Sequence, residues 1–332
     1  MSQTYRTFIE NKPSLKYIFT GGKGGVGKTI SAAAIALDFA RKGKRVLLSS
    51  LNPVHSLSSL FDQRLPRGKV AKLEGLDNVW ACEIDITDTV ENYKKELKRK
   101  IDFFLKYADI PVKTESFVEI ATTNPSFEES AQFDQMTNMM IERKDEFDVM
   151  VFDTAAVANA IRLIGLSKLY DLWLGRMIQS RKEALSIRLQ LSFRKDRIKK
   201  EIEKDPLMAD LLKTRQKTEA AKMLLKDSNQ TAFFFITLPL ALPIAVVERF
   251  IRMVSSFDIP VGGVIVNKVI SKDIVLKETS TDYLKNAYNQ QETYMNYINK
   301  NLGNLVLAEI PLFETEILGV SAVGKVADVI TL

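Results

Sequence analysis

The run Gly21-Gly22-Lys23-Gly24-Gly25-Val26-Gly27-Lys28-Thr29 is the part of this 332-residue chain whose residue types and spacing specify chemistry most directly. Glycines let the backbone curl so that successive N–H groups point at phosphate oxygens, and a helix opening behind them adds its positive end. The spacing Gly22-x4-Gly27-Lys28-Thr29 is that of a phosphate-binding loop, in which Lys28 reaches the β- and γ-phosphates and the Thr29 hydroxyl is the expected magnesium ligand. The expected nucleotide cradle is therefore Gly22, Lys23, Gly24, Gly25, Val26, Gly27, Lys28, Thr29 and Ile30. Lys23 adds information, because Lys28 already occupies the phosphate side of its own nucleotide. A second loop lysine is suited to reach across a dimer to the partner's nucleotide, as an arginine finger does; elsewhere a solvated loop lysine is the default.

A phosphate loop needs a strand to lead in and a helix to lead out. Short apolar runs rich in β-branched residues predict strands at Leu15–Phe19, Arg45–Ser50, Val79–Ile84, Asp148–Phe152, Ala232–Thr237, Gly263–Val266 and Leu305–Ile310. Helical stretches lie between them, among them Ile30–Arg41 and the amphipathic Ile244–Phe257. Alternation of this kind predicts βαβ units and a parallel sheet covered on both faces. Two helical regions interrupt the rhythm: Thr87–Tyr107 and a long insert, Leu163–Asp227. Within the insert, Leu185–Phe193 alternates strictly apolar and polar, as a strand would. As a helix it carries two opposed apolar stripes, Leu185/Leu189/Phe193 and Ile187/Leu191, and a helix packed on two sides, or facing a partner on one, is the expectation.

Composition is that of a globular protein, 46% apolar and 27% charged, and it excludes a disordered, collagen-like or disulfide-stapled chain. The lone Cys82 permits neither an intrachain disulfide nor a CxxC zinc site; in a strand it is expected to be a core residue. The net charge of +6 suggests a nucleic-acid binder, but its distribution narrows that reading. Ile178–Gln230 holds 14 Lys+Arg against 8 Asp+Glu, so the rest of the chain is balanced. The charges there alternate in sign, which suits a solvated helix face, although a polyanion-binding patch is the alternative. Met1–Lys16 has no apolar core of a signal peptide, and the run Ala232–Val247 is short and interrupted by Pro239 and Pro243. A soluble cytoplasmic protein is expected.

On its motifs the chain resembles the deviant Walker A ATPases, and among them the family of arsenite-pump (ArsA) and tail-anchored-protein targeting ATPases. Lys23 matches that family's extra loop lysine, and Leu48–Ser58 its switch I pattern. Phe152-Asp153-Thr154-Ala155 followed by Ile161-Arg162-Leu163 resembles switch II, Asn267 the adenine-reading asparagine, and Pro311–Val320, with Pro311 and Phe313, the loop that closes over the base. The resemblance implies a doubly wound, mostly parallel P-loop α/β sheet over 1–332, with a helical subdomain formed by about 87–130 and 163–230. It implies ATP and Mg2+ as cofactors, with Thr29 and Asp153 at the metal, and a homodimer. It also implies an apolar tail-anchor helix as client and a membrane receptor.

Three positions depart from the pattern. Asn52 stands where the family has the switch I aspartate that activates the attacking water; an asparagine can hydrogen-bond that water but cannot accept its proton. Asp153–Ala160 lacks the proline, glycine and histidine of the family's switch II, and Leu240 replaces a glutamate offered to the partner's nucleotide. With Lys23, Lys28, Thr29 and Asp153 retained, the expectation is Mg-ATP binding with slow hydrolysis, Lys23, Lys28 and Asn52 being the catalytic candidates. His55, the only histidine, falls in switch I. Two other functions compete: a nucleotide-gated scaffold binding a polyanion such as DNA through the basic segment, which is less favoured, and an anion-pump ATPase subunit, against which the absence of a cysteine cluster for a soft metalloid counts.

Overall fold

Near-continuous apolar runs, rich in β-branched and aromatic residues, build the sheet. A computed structural model describes residues 3–51, 56–108, 115, 118–119, 122–123, 126–154, 172, 175–176, 178–183, 185–187, 189–190, 205–277 and 280–332. Its strands are β1 (Tyr17–Gly21), β2 (Val46–Ser50), β3 (Ala71–Lys72), β4 (Val79–Glu83), β5 (Val149–Asp153), β6 (Thr231–Thr237), β7 (Val261–Val269) and β8 (Val306–Pro311). They form one eight-stranded sheet in the order β3-β4-β2-β5-β1-β6-β7-β8, parallel throughout except for the antiparallel pair β3–β4. The expected α/β doubly wound sheet is therefore present, and all seven strands predicted from the sequence are found. The two-residue β3 was not predicted: it is too short for any periodicity. The β7 prediction fell short because Asn267 and Lys268 break the apolar run while the ladder continues to Val269.

The central strands β1, β2, β5 and β6 are buried on both faces. Ile18, Val151 and Phe234 point into a core built with α1 (Tyr5–Glu10), α2 (Lys28–Arg41), α3 (Ser56–Phe61) and α10 (Gly319–Ile330). On the opposite face Phe19 stacks between Phe152 and Phe233, with ring centroids 5.1 and 4.4 Å away. This two-sided burial explains why the strands are near-continuous apolar runs. The small residues Ala32–Ala34 and Ala36 let α2 lie close to the sheet. The N-terminal α1, missed by strand-and-helix periodicity because it is barely two turns long, is held by Phe8 edge-on to Phe234 at 5.4 Å and by the Tyr5 hydroxyl donating to Asp38 at 3.1 Å. Burial, then the adjacent Asp38, pushes the Tyr5 phenol well above its ordinary range.

Further helices bounded within the described residues are α4 (Ile86–Ala108), α5 (Ser126–Glu142), α6 (Pro206–Lys226), α7 (Ala241–Ser255), α8 (Lys272–Val275) and α9 (Asp282–Leu302). The chain divides into two compact units, one of Met1–Ile86, Met136–Ile161 and Leu224–Leu332, the other of Thr87–Gln135 and Arg162–Met223. The second unit is helical in its described residues. Tyr93 and Phe127 meet at 5.1 Å, and Arg181 pairs with the buried Asp205 at 2.6 Å. Asp205 also accepts the Met208 N–H at 2.7 Å, satisfying a first-turn donor of α6. Residues 185–187 and 189–190 are helical, in line with the two-stripe reading of that segment. Among the described residues no helix is long and apolar enough to cross a membrane.

Candidate functional site

The crossover from β1 runs over β5 to β2, whereas that from β6 runs outward to β7, so the strand order reverses between β1 and β6. At the carboxyl ends of strands, such a switch point is where open α/β sheets hold their ligands. The glycine-rich loop leaves β1 at this point. Gly22, at φ +152°, sits so close to β6 that a Cβ would fall 2.3 Å from the Ile236 carbonyl oxygen. Gly27 takes φ +97° as the N-cap of α2 and supplies no side chain to the first-turn N–H groups, which leaves them for an anion. Val26 is buried, while Lys23, Gly24 and Gly25 are exposed and Gly27, Lys28, Thr29 and Ile30 half-buried.

A row of buried polar residues crosses the sheet at the same edge. Glu83 on β4 pairs in register with Ser50 on β2, Ser50 with Asp153 on β5, and Asp153 with Thr20 on β1. Into this row the start of α2 delivers Thr29, whose Oγ1 donates to Asp153 Oδ2 at 2.6 Å. Asp153 Oδ1 is buried with no hydrogen-bond partner among the described residues. Burial raises the Asp153 carboxyl pKa, opposed by the Thr29 hydrogen bond and by the charge of Lys28. Lys28 is half-buried, and its Nζ donates to the Lys23 carbonyl at 3.2 Å, closing the loop on itself. Desolvation lowers the Lys28 pKa, with Asp153 opposing. An orphaned carboxylate oxygen beside a threonine hydroxyl is an oxygen donor set of the kind that suits a hard divalent cation. The chemistry of Thr29 and Asp153 therefore suits a hard divalent cation such as Mg2+, and Lys28 with the uncapped start of α2 lies beside them.

Asn267, near the end of β7, is buried and comes to this loop. Its Nδ2 donates to the Val26 carbonyl at 2.8 Å, and its Oδ1 accepts the Lys268 N–H at 2.8 Å. Pro311 ends β8 opposite Val269, and the Leu312 N–H donates to the Val269 carbonyl at 2.9 Å. Phe313 is half-buried and packs against the core cluster to which α10 contributes. Both thus occupy the same carboxyl edge of the sheet as Asn267. Asn52 and His55, with the rest of 52–55, and the switch II positions beyond Thr154 lie outside the described residues.

The flanks of 52–55 are anchored by a residue that motif matching missed. Glu83 Oε1 accepts the N–H groups of Leu57 at 2.7 Å and Ser58 at 2.8 Å, and Oε2 accepts the Ser58 hydroxyl at 2.6 Å. Ser50 and Ser56 hydroxyls lie 3.0 Å apart, and the Leu51 N–H donates to the Asp153 carbonyl at 2.9 Å. The signal was a glutamate inside the apolar run Val79–Ile84, since a carboxylate is rarely buried unless it is fully partnered. Glu83→Ala strands the Leu57 and Ser58 donors and should cost about 2–4 kcal/mol by urea unfolding, with Glu83→Gln costing less. Equal stability of Glu83→Ala and the natural chain would show that these bonds are not worth their desolvation.

Comparison with known proteins adds a second line. The family model of anion-transporting ATPases (ArsA) matches residues 15–332. The chain is 28% identical to ATPase ASNA1 homolog 2 of Paramecium tetraurelia, over 99% of its own length and 97% of that protein's. It is 26% identical to ATPase GET3A of Arabidopsis thaliana, covering 95% of this chain and 83% of that one. It is also 26% identical to ATPase GET3 of Komagataella phaffii, covering 96% and 90%.

Proposed function

Because the chain belongs to the anion-transporting ATPase (ArsA) family, we propose that it is a dimeric, nucleotide-switched ATPase whose client is the apolar helix of a tail-anchored membrane protein. The observation that carries the nucleotide half of this reading is the Thr29–Asp153 contact with its orphaned oxygen, set beside Lys28 at the uncapped start of α2. Bound there, Mg2+ would offset the charge of the β- and γ-phosphates. The chain's own part is to orient the triphosphate by backbone N–H groups and Lys28, and to hold Asp153 ionised through Thr29. Lys23 is exposed on the loop, where it can meet a partner's nucleotide, as expected of a residue acting in trans. Exposed apolar residues support a second copy seated at this edge: Leu240 and Leu242 at the start of α7, and Leu312 and Leu318 beyond β8. With Leu240 in place of a carboxylate, that contact would be apolar and would carry no charge to the partner's nucleotide.

The client half rests on the family and on the helical unit, whose described residues leave Leu172, Ile187, Leu212 and Met223 exposed. Asn52 in place of an acid sets hydrolysis slow, and Asn267, Pro311 and Phe313 are assigned to the base. Calorimetric titration with ATP, with and without Mg2+, should give binding that Mg2+ strengthens; no binding in either condition overturns the assignment. Co-expression with a tail-anchored substrate should yield a soluble complex, and a substrate that stays insoluble removes the client from the proposal.

A further inference from the structure

A peptide group is planar and trans, so its carbonyl and its N–H point in opposite directions. The Val26–Gly27 peptide is held by its carbonyl, which accepts from Asn267 Nδ2 at 2.8 Å. The Gly27 N–H is thereby aimed away from β7. Contact is close: a Cβ on Gly27 would lie 2.1 Å from the same Nδ2. The Asn267 carboxamide is itself fixed, since Oδ1 accepts from the Lys268 N–H at 2.8 Å and the backbone at Lys268 takes φ +57°. A short way further on, the buried Gln291 of α9 grips Ile270 at both groups, accepting its N–H at 2.7 Å and donating to its carbonyl at 3.0 Å. The segment from Asn267 to Ile270 is therefore held by buried amide contacts, one of which ends on the phosphate loop.

We propose that Asn267 is a positioning residue for the phosphate loop: by fastening the Val26 carbonyl it presents the Gly27 N–H to the phosphate chain, independently of any contact with a base. The inference rests on the nucleotide-binding reading above and deepens it. An amide has two N–H donors and a carbonyl has two acceptor sites, so one of each remains after these bonds for reading a base. Losing the fastener lets the Val26–Gly27 peptide rotate and leaves a buried carbonyl without its donor.

A ligand with phosphates and no base separates the two roles. Binding of magnesium tripolyphosphate and of Mg-ATP is measured by calorimetry for the natural chain, Asn267→Ala and the closer-sized Asn267→Leu, with thermal melting to verify that each variant is folded. Asn267 as a loop fastener predicts that both ligands weaken by a similar factor, about 10-fold, equivalent to about 1.4 kcal/mol. Loss of ATP affinity with tripolyphosphate unchanged makes Asn267 a base reader only and overturns the inference. A natural chain that binds neither ligand overturns the nucleotide reading, and the inference falls with it.

Discussion

Replacing Asn52 with aspartate is expected to raise the single-turnover rate of ATP hydrolysis by ~10²–10⁴, the range over which a positioned general base acts. The carboxamide can orient a water by hydrogen bonding but has no basic site to take its proton, whereas aspartate at the same length has. Phosphoryl transfer depends mainly on positioning and charge stabilisation, so the natural chain should still bind Mg-ATP well while turning it over slowly. Affinity and rate are therefore to be measured separately, with binding judged under conditions where no turnover occurs. Asn52→Asp should leave the dissociation constant nearly unchanged and alter the rate. Fast hydrolysis by the natural chain that Asn52→Asp does not increase would show that another group performs the proton transfer, and the slow-switch reading would fall. Glu83 gives this experiment an internal control, because it anchors the start of α3 just beyond 52–55 without lying in the phosphate loop.

Asp153→Asn should separate function from stability with the next largest effect. Magnesium should strengthen ATP binding to the natural chain and should lose that effect in the variant. The loss should reach at least the ~10–100-fold that removing even an outer-shell metal partner costs. In the absence of nucleotide the same variant should be as stable as the natural chain or more so, because a carboxamide at this position buries no charge. The pH dependence gives an independent reading. Burial raises the Asp153 carboxyl pKa, so the folded chain keeps a proton that the unfolded chain has already released. That contribution to stability is present below the ordinary aspartate pKa of about 4 and is lost as pH rises through the raised value. Magnesium competes with the same proton, so its effect on ATP affinity should grow across that window. Melting temperatures of Asp153→Asn that fall below those of the natural chain at neutral pH would show that the buried carboxylate is compensated by contacts other than a cation.

How much was legible in the sequence differs from element to element. The phosphate loop could be found because glycine positions, a lysine and a threonine at fixed spacing are a local code, and the strand before it and helix after it are local too. The buried strands were legible because parallel strands covered on both faces leave near-continuous apolar runs, as Phe233–Ile236 does. The long α9 drew no prediction: most of its length is polar and exposed, and only Gln291, Met295, Ile298 and Leu302 turn inward. Glu83 escaped because its function is not local. It acts on backbone donors 25 and 26 residues away, at a distance no motif records.

By itself the sequence determined the family and the mostly parallel P-loop sheet, and it marked the glycine-rich run from Gly22 to Ile30 and the three departures from the pattern, because each depends on residue type and spacing along the chain. It also located the surplus of six positive charges in 178–230, outside the glycine-rich loop. Only the tertiary structure decided which buried polar groups meet. Strand order and register place Glu83, Ser50, Asp153 and Thr20 in one row, although they are scattered between residues 20 and 153. The same sheet brings Asn267 to the Val26 carbonyl across 241 residues of chain. Pairing register is fixed by which faces must be buried, a property of the whole sheet that no single segment carries.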